Sequence, residues 1–231
     1  MNSSDENPIF RALTDATNGV FPAIDGGVTF VPAFIGPEGS TTLEVVVAFT
    51  GHAFIATSTD PALLLEAGAD GYGMASSPPV LSLLGGANAG ERKRASFGVT
   101  DATLFSRGTG SGHSRLAIRT DLDDHPRVRH ARTIRHDVIV YGDERGLVTL
   151  GTGLAGRREM SVEAVPDGQG RGFGRSLIVD ALELISKGDI VFAAVAPGNA
   201  RSIRAFLGVG FKIIGSETII VRPLPAPAVS A

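Results

Sequence analysis

Apolar runs broken by polar punctuation recur along the chain, and their periods predict strands first and helices second. Residues 43–49 and 52–57 are β-branched and aromatic runs separated by Thr50-Gly51, the two-residue gap of a tight hairpin. Residues 27–34 alternate as a strand that Pro32 confines to an edge or an end. Asp60 with Pro61 opens a short helix stopped at Gly68, and Ser77 with Pro78 and Pro79 opens another stopped at Gly85-Gly86. Short strands are read at 103–105 and 116–118, between polar connectors at 86–94 and 106–114. His52, at the start of its strand, is read as a partly buried polar residue.

The pattern sharpens in the second half. Residues 137–141 and 147–153 flank Gly142 to Gly146 as a hairpin, and 156–165 follow as a third strand. Alternation there places Glu159, Ser161, Glu163 and Val165 on one face and Met160, Val162 and Ala164 on the other. From Phe173 the period changes: Phe173, Leu177, Ala181 and Leu184 mark one side of an amphipathic helix that ends at Lys187-Gly188. Residues 190–195 form an apolar run of buried-strand length. Asn199 caps a further helix stopped by Gly210, and 211–215 with 218–222 predict a closing hairpin. Strand, helix and second strand make a βαβ crossover, whose ligand sites lie at the carboxyl end of the first strand.

Composition narrows the class. The 231 residues suffice for one large domain or two small ones. No run of about 18 apolar residues predicts a membrane span, and the polar, acidic start is unlike a secretory leader. With no cysteine, disulfides, thiolate catalysis and cysteine-ligated zinc are excluded, and a cytoplasmic protein is expected. A net charge of −3 gives no general attraction to nucleic acid. The densest charge feature begins at Pro126 with Arg127, Arg129, His130, Arg132, Arg135 and His136. It reads as a solvated helix face neutralised by Asp121, Asp123 and Asp124, or as a surface that helps hold phosphates or an acidic substrate.

Between strand and helix lies the stretch from Glu163 to Arg175, rich in glycine. A helix start leaves backbone N–H groups unpaired and partly positive, so a glycine-rich entry makes an anion cradle. The spacing is wrong for a dinucleotide fingerprint, because the third glycine would fall on Phe173 or Arg175, and no Gly-Lys pair is present for a P-loop. Gln169-x-x-Gly172-x-Gly174 closely resembles the acyl-CoA signature of the GNAT acyltransferase superfamily. Asn199 with Gly210-Phe211 is similar to that family's Asn-led helix at the expected spacing, so the resemblance covers roughly residues 137–222.

The resemblance implies an α/β (α+β) fold with a mixed, mostly antiparallel sheet and flanking helices, preceded by an extra N-terminal α/β module. The expected division is 1–115 for that module, acceptor-site forming or a degenerate copy of the second half, then 116–222 for the acyl-CoA domain and 223–231 for a mobile tail. It implies direct transfer of an acetyl or other short acyl group from acetyl-CoA or another acyl-CoA to a primary amine or, as the alternative, a non-catalytic acyl-CoA-binding or regulatory protein; no metal, nucleic acid or membrane partner is expected, and a homodimer is left open. Cradle residues Gln169, Gly170, Arg171, Gly172, Phe173, Gly174 and Arg175 would hold the pyrophosphate. Val162, Ala164 and Val165 would border the pantetheine arm, from which the strand at 190–195 splays away, and Asn199 and Ser202 would lie near it. Glu159 and Glu163 are competing catalytic bases. Phe206 stands where many relatives carry the tyrosine acid; Tyr72, Tyr141, Ser202 or water is left for that role, or the thiolate leaves unassisted.

Overall fold

The structure, a computed structural model, describes residues 7–86, 96–98, 100–111, 113–168 and 170–224. Gln169, almost all of the 86–94 connector and residues 225–231 of the tail lie outside the described residues. In chain order the elements are α1 (Pro8–Thr17), β1 (Val28–Pro32), β2 (Phe34–Ile35), β3 (Thr41–Phe49), β4 (His52–Thr57), α2 (Pro61–Glu66), α3 (Pro78–Leu84), β5 (Ser96–Phe97) and β6 (Asp101–Arg107). The second half adds β7 (Ala117–Ile118), α4 (Pro126–Ile134), β8 (His136–Asp143), β9 (Gly146–Thr152), β10 (Arg158–Ala164), α5 (Phe173–Glu183), β11 (Ile190–Val195), α6 (Ala200–Leu207) and β12 (Lys212–Pro223).

The described residues form two compact units, one drawn from Met1–Phe21 and Asp101–Ser216, the other from Pro22–Thr100 and Glu217–Ala231. The expected boundary at 115 is therefore corrected. Strand β6 pairs along its whole length with β11, from Ala102↔Val195 to Arg107↔Ile190, and buries Leu104 and Phe105, so it belongs with the second half. Helix α1, which no expectation covered, joins it there. Its signals are present in the sequence: Asn7 Oδ1 accepts the Ile9 N–H at 2.9 Å, Pro8 follows, and Ile9, Ala12, Leu13 and Ala16 are buried at helical spacing.

In the first unit the strands run in the order β12, β6, β11, β10, β9, β8, β7. Every recorded pairing from β6 to β7 is antiparallel except β10 with β11. Neighbouring residues of β9 go to opposite faces: Val148 joins the main core with Met160, Leu177, Ile178 and Val191, and Leu147 joins Val128 and Val140 under α4. Helix α5 packs on β9 and β10. The mixed, mostly antiparallel sheet with flanking helices is thus the architecture of this unit.

In the second unit β1 pairs parallel with β4, β4 antiparallel with β3, and β2 with β3, while β5 pairs with β12. The predicted hairpin closes at Phe49↔His52. The predicted hairpin at 211–222 does not form, and β12 is one uninterrupted strand. A turn near Gly215-Ser216 would put its flanks in water, whereas Glu217 and Thr218 are buried here.

Gly146, at φ 143°, opens β9 against the end of β10, and a Cβ there would sit 2.1 Å from the Glu163 carbonyl oxygen. Gly146→Ala is expected to cost at least about 2 kcal/mol, from strain and overpacking together, as read from the urea midpoint of unfolding. An unchanged midpoint would show that the two strands do not approach this closely.

Candidate functional site

Strand β10 is held on one side by β9 from Arg158↔Thr152 to Ala164↔Gly146. On the other side its recorded pairing with β11 is a single parallel bridge, Glu159↔Phe192. Beyond it, among the described residues, the β11-side backbone edge of Ser161–Ala164 has no recorded strand partner. A groove of about 680 Å³ opens there, lined by Val162, Glu163 and Ala164 from β10 and by the residues that follow it.

The chain leaves β10 through a tight turn. Val165 N–H donates to Arg145 O and Gly168 N–H to Val165 O, both at 2.9 Å, and Arg171 N–H donates to Gly168 O at 3.1 Å. A Cβ on Gly168 would meet the Phe173 ring at 2.3 Å, so this glycine seats Phe173. Gly170 and Gly172 take φ of 78° and 79°, a region open to glycine at little cost. Gly174 needs no such freedom; added Cβ atoms at 170, 172 and 174 would all meet empty space. Gly172 has no side chain to cap α5, so among the described residues no cap takes up its first-turn N–H groups, which border the groove.

Helix α6 forms the far wall. Asn199 Oδ1 accepts the Ser202 N–H at 3.1 Å and starts the helix, whose groove side presents Ser202, Ala205 and Phe206. Phe206 is buried edge-on against Phe211, with ring centroids 4.8 Å apart. Among the described residues the lining holds four arginines, Arg127, Arg175, Arg201 and Arg204, and a single carboxylate, Glu163. In a chain of net charge −3 this is a local excess of positive charge. Arg201 and Arg204 went unnoticed in the sequence, although their spacing by three on an Asn-led helix was a usable signal.

Glu163 is half-exposed. Arg127 Nε donates to its Oε2 at 2.6 Å, and His125 Nε2 lies 4.0 Å from Oε1. His125 Nδ1 accepts the Arg127 N–H at 3.2 Å, so a neutral ring carries its proton on Nε2, toward the carboxylate. The basic segment thus reaches the groove through Arg127.

The other expected residues divide. Gly170, Gly172, Phe173, Gly174, Arg175, Asn199, Ser202 and Phe206 line the groove with Val162 and Ala164. Val165 lies instead in a neighbouring hollow, and Arg171 stacks on Phe173, its guanidinium 4.8 Å from the ring centre. Tyr141 is on β8, packed at the edge of the main core and absent from the lining. Tyr72 belongs to the second unit and is exposed.

Glu159 is not brought to the groove. It is 2% exposed; Arg157 Nε donates to Oε1 at 2.7 Å, Arg135 Nε to Oε2 at 2.6 Å, and Leu154 N–H to Oε1 at 3.0 Å. Burial alone would raise its pKa, but the charges of Arg157 and Arg135 outweigh that and hold it at about 2. A carboxylate so enclosed and so weakly basic is unsuited to take a proton from an amine, which corrects its assignment as a candidate base.

Residues 159–221 match the family described as FR47-like protein, which is GNAT-related. No curated protein matches the chain. Among solved structures it is similar to a GNAT-family protein from Novosphingobium aromaticivorans DSM 12444, at 13% identity over 57% of this chain and 68% of that one, with a TM-score of 0.40. A GCN5-related N-acetyltransferase from Kribbella flavida matches at 10% identity over 68% of this chain and 65% of that one, with a TM-score of 0.39. A functionally unknown conserved protein from Staphylococcus epidermidis ATCC 12228 matches at 12% identity, over 64% and 68%, with a TM-score of 0.39. The chain thus spans about two thirds of the length of these proteins. Among the described residues no helix is long and apolar enough to cross a membrane, and no group of three or more His, Asp or Glu is placed to hold a metal ion.

Removing the Glu159 charge would take their shared carboxylate away from two buried guanidinium groups. Glu159→Gln is expected to destabilise the protein by about 3–5 kcal/mol in chemical denaturation. In the wild type the depressed pKa contributes stability that is complete above pH 4.5, the ordinary value for this group, and is lost as pH falls toward 2. Stability measured across that window should fall more steeply for wild type than for Glu159→Gln. Parallel curves would show that the carboxylate is not held as described.

Proposed function

We propose, from the match of residues 159–221 to the FR47-like family, that the chain is a GNAT-type N-acyltransferase. It would transfer an acetyl or other short acyl group from acyl-CoA to a primary amine, directly and in a ternary complex. The observation that carries this reading is the parting of β10 from β11 beside an uncapped, glycine-lined helix start, in a groove with arginines along its walls. A long, thin ligand with a phosphorylated end has what it needs there. Backbone N–H groups and Arg175 meet the pyrophosphate, with Arg201 and Arg204 on the opposite wall. The unpaired edge of Val162–Ala164 hydrogen-bonds the amides of the arm, and Ile178 and Phe206 shield it from water.

Glu163 is the carboxylate in reach of the acyl group and serves as the base, directly or through one water, with Arg127 orienting it. The amine then attacks the thioester carbon; the C–N bond forms and the C–S bond breaks. Phe206 has no proton to give, so the departing thiolate takes one from water or from a groove hydroxyl such as Ser202.

A second reading, a protein that binds acyl-CoA without turning it over, is favoured by Phe206 and by the enclosure of Glu159. A thiol-release assay with acetyl-CoA over a panel of amines decides between them, with release expected for at least one amine. Glu163→Gln should lower kcat by about 10²- to 10⁴-fold and leave CoA affinity unchanged; equal rates would remove Glu163 from the chemistry.

Calorimetric titration tests the ligand itself. Acetyl-CoA and CoA should bind and ATP should not. Gly174→Ala, which the fold has room for, should weaken CoA binding at least about tenfold, or about 1.4 kcal/mol, with an unchanged Tm. Absence of binding by either CoA species would overturn both readings.

A further inference from the structure

Within the second unit, three loops meet around glycines. Gly26 N–H donates to Gly51 O and Gly71 N–H to Gly26 O, both at 2.9 Å, and Ala53 N–H donates to Gly27 O at 3.1 Å. The approach leaves no room for side chains: a Cβ on Gly71 would lie 2.6 Å from Gly51 O, and one on Gly26 would lie 2.7 Å from the Tyr72 ring. Asp70 fixes the third loop by accepting the N–H groups of Tyr72 and Met74 at 2.8 and 3.0 Å. Backbone packed this closely makes a rigid platform.

The platform carries a hydrogen-bonded row of three side chains. Asp25 Oδ1, fixed by the Gly27 N–H at 2.7 Å, lies 2.8 Å from His52 Nδ1, and His52 Nε2 lies 2.9 Å from Thr29 Oγ1. An ionised carboxylate only accepts, so Nδ1 bears the proton; Nε2 of the neutral ring is then an acceptor, and Thr29 donates to it. The Phe54 ring stands edge-on against the imidazole, centroids 5.0 Å apart, and limits its rotation. The His52 N–H holds the Asp25 carboxyl below its usual range. His52 is mostly covered, at 13% side-chain exposure, whereas Asp25 is open to water. This is the order of groups that raises the nucleophilicity of a hydroxyl: acceptor, imidazole, hydroxyl.

We propose that Thr29, His52 and Asp25 form a nucleophilic site, built wholly within the second unit and independent of the acyl-CoA groove, that takes the acyl group of an activated carboxylic ester. Thr29 Oγ1 bonds to the acyl carbon as its proton passes to His52 Nε2, and Asp25 stabilises the resulting imidazolium. The ester C–O bond breaks, and the leaving oxygen takes that proton. Water, deprotonated by His52, then cleaves the acyl-threonine to a carboxylic acid and restores the hydroxyl.

The test uses the full chain with p-nitrophenyl acetate as probe, following p-nitrophenolate release and the mass of the peptide that carries Thr29. One acetyl group on Thr29 is expected, formed with the release. Thr29→Val, which keeps the shape of a strand residue, should abolish the adduct, and His52→Gln should slow release by about 10²-fold. If His52→Gln fails to fold by circular dichroism, Asp25→Asn at its exposed position is read in its place, with the same slowing expected. Gly174→Ala should leave the reaction untouched, which separates it from the groove. No acetyl on Thr29 in the wild type, or release by the variants at the wild-type rate, would overturn the proposal.

Discussion

The single bridge between Glu159 and Phe192 is the constraint on which the first unit depends. It is the one recorded pairing of β10 with β11 among the described residues, and the groove opens along β10 beyond it. The bridge is anchored by charge. Glu159 is held by Arg135 and Arg157, and the Arg157 guanidinium lies 5.2 Å from the centre of the Phe192 ring, so the two residues of the bridge share one cluster. A buried ion cluster adds little net stability over apolar packing, but it tolerates few alternative arrangements. Here it sits at the vertex of the opening, where a shift in register would close or displace the groove.

Arginine does two jobs in this unit, and burial separates them. Arg135, Arg145 and Arg157 are covered and spent on carboxylates: Glu159 for two of them, Asp143 and Asp180 for Arg145. Arg145 thereby ties the turn between β8 and β9 to α5, just beside the start of the cradle. Arg175 and Arg204 line the groove with no ion pair among the described residues, and Arg127 enters it holding Glu163. The first group fixes where the backbone goes; the second sets which charge the groove attracts.

The glycines show how closely turn and function can coincide. Gly168 is required by the packing of Phe173, and Gly170 and Gly172 by their left-handed backbone. Gly174 is required by neither, and open space at its Cβ position is what an approaching ligand would use. In the second unit Gly26 and Gly51 combine a left-handed backbone with close packing, and Gly71 acts through packing alone, bringing three loops into contact. His52 read as an ordinary strand residue because its partners are 27 and 23 residues away in sequence.

Local chemistry was legible in the sequence by itself. Periodicity marked β3, β4, β8, β9, β10, α5 and β11, because each buries one face or both and its neighbours in sequence reveal the period. Spacing marked the cradle, since a turn into a helix start is written in consecutive residues. What the tertiary structure alone decided is everything that depends on partners distant in the chain. It placed β6 beside β11, against the expected boundary, and made β12 one strand where a hairpin was predicted. It separated Glu159 from Glu163, two carboxylates that alternation had put on one face, because Arg135 and Arg157 close over the first and the parting strands expose the second. The physical reason is the same throughout: alternation determines which way a side chain points, but burial, and with it basicity and access, is set by what packs against it.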